Sequence, residues 1–199
     1  MKFKVLTVTF AVMVMALSTV TASAESVKSG EESYASNLLN GNTVASVSAT
    51  VTYNRFNKIT PYTQITSSGC ATTCAGMCVG KSPNELQNDG FNLNWADWEG
   101  IGRKYGYTVD WLGRTDLSGK DALKVVFDYL KAGYPVCVWI NQTNPHWVVI
   151  YSYSGDGVNF NASDFMCVDP ARCWSTTSRL RRLDLAYNYD GVYNTVVFK

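Results

Sequence analysis

Apolar positions along this chain keep a helical rhythm first and a strand rhythm later. Cys70, Cys74 and Cys78 recur at i, i+4 and i+8 with Met77 beside them. That spacing predicts a helix over Cys70 to Val79, closed by Gly80. Asn94 is a candidate cap for a second helix, with Asp97 at its third position, a buried stripe of Trp95, Trp98, Ile101 and Tyr105, and Gly106 as its stop. A third helix is expected over Lys120 to Ala132, where Leu123, Val126, Phe127 and Leu130 follow the i, i+3, i+4, i+7 rule and Gly133 with Pro135 ends it. The rhythm then changes. Val136 to Ile140 is a short apolar strand, and His146 to Tyr153 is a second, apolar on both faces and therefore central in its sheet. Ser154 to Gly157 reads as a turn, followed by strands over Asp164 to Val168 and Tyr193 to Phe198. Helices before strands is the α+β order, with helices packed on an antiparallel sheet.

The first 24 residues stand apart. Met1 to Lys4 is charged, Val5 to about Val20 is apolar, and Ala22-Ser23-Ala24 is the small-x-small pattern of a cleavage site. The segment reads as a secretory signal cut after Ala24, with an uncleaved anchor as the alternative. It is short for a membrane span and diluted by Thr7, Thr9, Ser18 and Thr19, so no stable membrane insertion is expected after cleavage. Residues 25–52 are rich in Ser, Asn, Gly, Thr and Glu with one apolar pair, Leu38-Leu39. They are expected to be a linker or a short prosegment over the active cleft, ahead of a single domain at 53–199.

Charge narrows the partners. The whole chain carries 17 basic and 16 acidic side chains, and loss of Lys2 and Lys4 with the signal leaves 15 against 16. A near-neutral domain argues against nucleic-acid binding. Arg172, Arg179, Arg181 and Arg182 form a local cluster, read as a solvated face. Six cysteines leave the redox state open. If Cys70 stays free, at least one other is also unpaired, and Cys167 with Cys173, bracketing a Pro-containing loop, is the best candidate disulfide.

The chain has one histidine, so any imidazole-dependent chemistry must run through His146. Cys70 is placed at a helix start, where the partial positive charge of the N-terminus and a nearby imidazolium would favour a thiolate. Gly69 permits a tight turn into that helix. Gln64, six residues upstream of Cys70, could offer its side-chain N–H to a developing oxyanion, with the Cys70 amide as second donor. Asp169, in Val168-Asp169-Pro170, could accept from the second ring nitrogen and set the tautomer. Asp164 and Asn141 are weaker candidates for that role. A histidine-based metal site is excluded by count, and the Cys70/Cys74/Cys78 spacing matches no common zinc pattern. Neither a metal nor a cofactor is expected. Asn141-Gln-Thr143 and Asn161-Ala-Ser163 match the glycosylation pattern, which alone says little.

The ordered set Gln64, Gly69-Cys70, Gly133-Tyr-Pro135-Val136, His146-Trp-Val-Val-Ile150 and Val168-Asp169-Pro170 resembles the papain-like cysteine peptidases of the bacteriocin-processing (double-glycine leader) type, in particular their stand-alone, secreted relatives. Ala71-Thr72 stands where that family often has Gly-Pro. The resemblance covers roughly Tyr53 to Ala171. It implies a papain-like α+β fold, Cys70 as nucleophile, His146 as general base and acid, Asp169 as orienter and Gln64 as oxyanion donor, acting on a peptide or protein substrate. The same residue order suits a cell-wall amidase or endopeptidase, or an acyl transferase. A catalytically inactive secreted binding module is the reading outside enzymes.

Overall fold

Strand β4, Trp147–Gly155, lies inside the sheet with neighbours on both edges, and His146 directly precedes it. The computed structural model describes residues 49–112 and 120–199. The signal-like segment and residues 25–48 of the expected linker or prosegment lie outside the described residues. The described chain runs β1 (Val51–Asn54), α1 (Cys70–Val79), α2 (Pro83–Asn88), α3 (Trp98–Tyr105), β2 (Val109–Leu112), α4 (Lys120–Ala132), β3 (Val136–Trp139), β4, β5 (Phe165–Val168), β6 (Leu180–Arg182) and β7 (Asn194–Phe198). Three one-turn 3-10 helices, at Phe56–Lys58, Ala162–Asp164 and Leu183–Leu185, fill connections.

All strand pairs are antiparallel, in the order β2-β7-β3-β4-β5-β6. β4 has 9 residues, long enough for two partners on one edge. β3 covers its first half, Val136 opposite Ile150, and β1 covers its second half, Tyr53 opposite Tyr153. Val148 and Ile150 face α4, packing with Val126, Phe127 and Leu130. Trp147, Val149 and Tyr151 face the other way, onto Cys74 and Met77 of α1 and Trp98 and Ile101 of α3. A strand covered on both faces has no polar side to show, which is why β4 reads as continuous apolar sequence. A bulge between Ile150 and Ser152 against β5 shifts the alternation by one residue, so Tyr153 joins the α4 side with Phe127 and Phe165.

α1 is not an amphipathic surface helix. Nine of its ten residues are buried, including Thr72 and Thr73, because it lies between the sheet and the neighbouring helices. Thr72 and Thr73 tolerate burial by donating to Asn92 O and Gly69 O at 2.9 and 2.7 Å. Gly80, at φ 70°, closes it as the spacing predicts.

Several expectations need correction. α3 starts at Trp98 with Asp97 as cap, not at Asn94. Asp97 Oδ1 accepts from Gly100 N at 2.9 Å, while the Asn94 backbone N–H donates to Asn92 Oδ1 at 2.8 Å. Trp95 therefore lies outside the helix and is 61% exposed, not buried. No periodicity announces α2, since Pro83 and Leu86 are its only buried residues. Its signal was local, a Ser82/Glu85 capping box with Pro83 in the first turn. β1, β2 and β6 have three or four residues each, too few for a pattern to stand out. β4 begins one residue after His146 and runs through Gly155, so the turn is shorter than expected. Cys167 and Cys173 are not joined in this structure: Cys167 is buried on β5 and Cys173 is exposed. The arginine cluster is not a uniformly solvated face either. Arg172 and Arg182 are exposed, but Arg179 is buried and its Nη1 has no hydrogen-bond partner. No helix among the described residues is long and apolar enough to cross a membrane.

Candidate active site

The loop before α1 is shaped by Gln64. Its backbone N–H donates to Pro170 O at 3.0 Å, tying the loop to the segment beyond β5. Its side-chain Nε2 donates to Thr66 O and Ser67 O at 3.0 and 3.1 Å, and Oε1 is buried without a partner. Gly69 is the N-cap of α1. A Cβ there would sit 2.7 Å from Thr66 Oγ1 and 3.2 Å from Leu93 O, so only glycine fits without displacement. Gly69 supplies no side-chain cap, and the first turn of α1 holds no acid. The partial positive charge of the helix N-terminus is thus left facing Cys70, its first residue.

His146 arrives from the β3–β4 connection. Ile140 N–H donates to His146 O at 2.9 Å and closes that loop. Inside it, Asn141 Oδ1 accepts from Asn144 N and Thr143 Oγ1, and Asn141 Nδ2 donates to Asn188 O. Asn141 therefore organises the loop instead of the imidazole. Asp164 is engaged in a capping box with Asn161. Neither weaker candidate orients the ring.

Asp169 does contact it. His146 Nε2 lies 2.8 Å from Asp169 Oδ1, which leaves Nδ1 for the Cys70 side. Asp169 is fully buried and accepts four bonds, two on each oxygen: His146 and Ala171 N on Oδ1, Trp174 Nε1 and Tyr187 N on Oδ2. A buried carboxylate with every lone pair occupied remains ionised and cannot rotate. Burial pushes its pKa up, but the hydrogen bond and charge of His146, with the Tyr187 and Ala171 amides, outweigh that and hold it below the usual carboxylate range.

The imidazole is shifted the other way. Burial opposes its charged form, while hydrogen bonding to Asp169 and to Cys70, and the charge of each, favours it and raises the pKa from 6.5 to about 9. At neutral pH the ring carries its proton. Tyr187 stands edge-on to it, with ring centroids 5.6 Å apart.

Gln64, Cys70 and His146 all line one cleft of about 680 Å³, with Asp169 buried behind the imidazole. Trp98 and Trp147 make one wall, their rings 4.8 Å apart, and the exposed Trp95, Trp111 and Tyr187 stand at the rim. The structure thus brings Cys70, His146, Asp169 and Gln64 to one place, although Gln64 now points its amide N–H groups at its own loop. Three contributors escaped the sequence: the Trp174 indole and the Ala171 and Tyr187 amides that clamp Asp169. Backbone donors leave no residue-type signal, and Trp174 lies in a segment without periodicity. Arg181 stacks on Trp174, its guanidinium carbon 3.4 Å from the ring centroid.

A thiol at a helix N-terminus, beside an imidazole that a buried carboxylate holds protonated, is the arrangement of a papain-like cysteine peptidase. The family model described as Peptidase_C39 like matches residues 56–197, and the chain belongs to that family of cysteine peptidases. No curated protein matches the chain.

Proposed function

We propose that this chain is a secreted peptidase, a stand-alone relative of the bacteriocin-processing type, that cleaves peptide bonds through Cys70, His146 and Asp169. The observation that carries the reading is the single imidazole bonded through Nε2 to a four-fold-satisfied Asp169 while Cys70 acts on the ring from the cleft. Cys70 Sγ attacks the substrate carbonyl as a thiolate. His146, already protonated, gives its proton to the leaving amine, and the acyl group remains on sulfur as a thioester. Neutral His146 then takes a proton from water, whose oxygen attacks the thioester, and the acid product leaves with Cys70 and His146 restored. Asp169 stays ionised throughout and keeps the ring aligned.

The developing oxyanion is met by the Cys70 amide, which as the first helical residue has no intrahelical acceptor. Gln64 is the second donor. To serve, its amide must exchange one of its bonds to Thr66 O or Ser67 O for the substrate. Secretion rests on the signal-like first 24 residues.

The test is incubation of the chain, lacking residues 1–24, with casein and with purified cell walls. Peptide release from casein that vanishes in Cys70→Ala and His146→Ala is the expected result. Release of wall fragments alone would move the substrate to peptidoglycan while keeping the site. Iodoacetamide at mildly acidic pH distinguishes a binding module: fast labelling of Cys70 that disappears in His146→Ala marks a working ion pair, whereas slow, equal labelling of several cysteines refutes it.

A further inference from the structure

Five of the six thiols are buried, and two of them meet. Cys78 lies in the last turn of α1 and Cys137 in the middle of β3, with their sulfurs 3.5 Å apart across the helix–sheet interface. Cys137 is fully buried and Cys78 nearly so, both within the core that surrounds Met77 and Val149. A disulfide requires about 2.05 Å between sulfurs, so closing the bond brings them together by about 1.5 Å.

We propose that Cys78 and Cys137 are a disulfide site, oxidised when the chain folds in the presence of a small-molecule disulfide such as oxidised glutathione. Two thiols give up two electrons and two protons, one S–S bond forms between them, and the glutathione disulfide is split into two glutathione thiols. The proposal does not depend on the peptidase reading. Burial first, and then the neighbouring Cys78, push the Cys137 thiol well above its ordinary value, so its thiolate is scarce once the core has closed. The bond therefore forms during folding, while both sulfurs are still reachable, and is sealed from reductant afterwards.

The position gives the bond its consequence. α1 presents Cys70 at its other end, eight residues away, about 12 Å along the axis, so the nucleophile is not consumed. Cys137 pairs with Val149 of β4, the strand that begins directly after His146. A covalent tie between Cys78 and Cys137 thus joins the helix that carries the thiol to the sheet that carries the imidazole, and it restricts sliding between them.

The full chain refolded with reduced and oxidised glutathione decides the matter. Mass spectrometry of a non-reduced digest should show the Cys78 and Cys137 peptides joined, lighter by two hydrogens and separated by dithiothreitol, with Cys70 still open to iodoacetamide in the folded protein. Dithiothreitol present from the start of refolding should lower Tm by roughly 10 °C, given a loop of this size. Cys78→Ala combined with Cys137→Val should show no such dependence. Separate alkylation of Cys78 and Cys137 after denaturing the oxidised protein, or a wild-type Tm indifferent to reductant during refolding, overturns the proposal. Should the double variant fail to fold, the wild-type peptide map decides by itself.

Discussion

Replacing Asp169 by Asn removes one charge and one acceptor oxygen at the most heavily bonded position in the site. The carboxylate accepts four N–H donors in pairs, and an amide oxygen can accept only one pair. If the NH2 takes the Oδ2 place, it faces the Trp174 and Tyr187 donors. If it takes the Oδ1 place, it faces Ala171 and forces His146 Nε2 to accept, leaving the proton on Nδ1 toward Cys70. The first arrangement orphans two buried donors and the second one, the Ala171 amide, at about 1–3 kcal/mol each, so a stability loss of roughly 1–6 kcal/mol is expected. The effect on the imidazole is more diagnostic. Its rise from 6.5 to about 9 corresponds to about 3 kcal/mol at 1.36 kcal/mol per unit, against the pull of burial. Asp169 supplies the largest favourable contribution, so its loss should bring the pKa down by at least ~1 unit while burial continues to lower it. The chain has one histidine, so the imidazole Cε1–H resonance in an NMR titration reports this group without assignment. The alkaline limb of kcat/KM and the pH profile of iodoacetamide inactivation should move with it, toward acid. An unchanged histidine titration in a folded Asp169→Asn protein would refute the pairing on which the mechanism rests.

Four further outcomes follow from the same geometry. Trp174→Phe keeps the aromatic surface under Arg181 but deletes the Nε1–H on Asp169 Oδ2. It should lower stability by about 1–3 kcal/mol by chemical denaturation and shift the histidine titration less than Asp169→Asn does. Gln64→Ala separates two roles: an oxyanion donor predicts a loss in kcat of about 100-fold or more, whereas a loop clamp alone predicts a fall in Tm with kcat little changed. Gly69→Ala should cost activity through displacement of Thr66, seen as reduced kcat/KM, because the new Cβ has no room. Stability should also follow pH with a defined sign. The raised pKa of His146 stabilises the fold fully below its unfolded value near 6.5, and that stability is lost as pH rises through about 9. The lowered pKa of Asp169 contributes stability above the usual carboxylate range, and that stability is lost as pH falls below the range through the lowered value. Between pH 6.5 and 9, wild-type Tm should fall more steeply than that of His146→Gln.

Much of the fold was legible because burial leaves periodic marks. α1 and α4 have the extents their spacing predicts, and β3, β4, β5 and β7 lie within one or two residues of their apolar runs. The failures share a cause. α2, β1, β2 and β6 are too short for a period to emerge, and the start of α3 was decided by which side chain captured the Gly100 amide, Asp97 in place of Asn94. Trp95 reads as core in the sequence because hydrophobicity does not say which side of a helix start a residue falls on. In the structure it stands exposed at the rim of the cleft.

The amino-acid sequence by itself determined which groups are available for chemistry: one imidazole, a thiol behind a glycine at a helix start, and an aspartate after a strand. Composition cannot move, so no folding could have supplied a second histidine. Only the tertiary structure decided how those groups are tuned. The pKa of His146, the bonds from His146 and Tyr187 to Asp169, the tie of the Gln64 N–H to Pro170 O and the meeting of Cys78 with Cys137 all depend on residues 18 to 106 positions apart being brought within hydrogen-bonding or van der Waals reach. Short-range pattern is written in spacing along the chain. Electrostatic environment falls off with distance in space, and that distance exists only once the sheet has closed around β4.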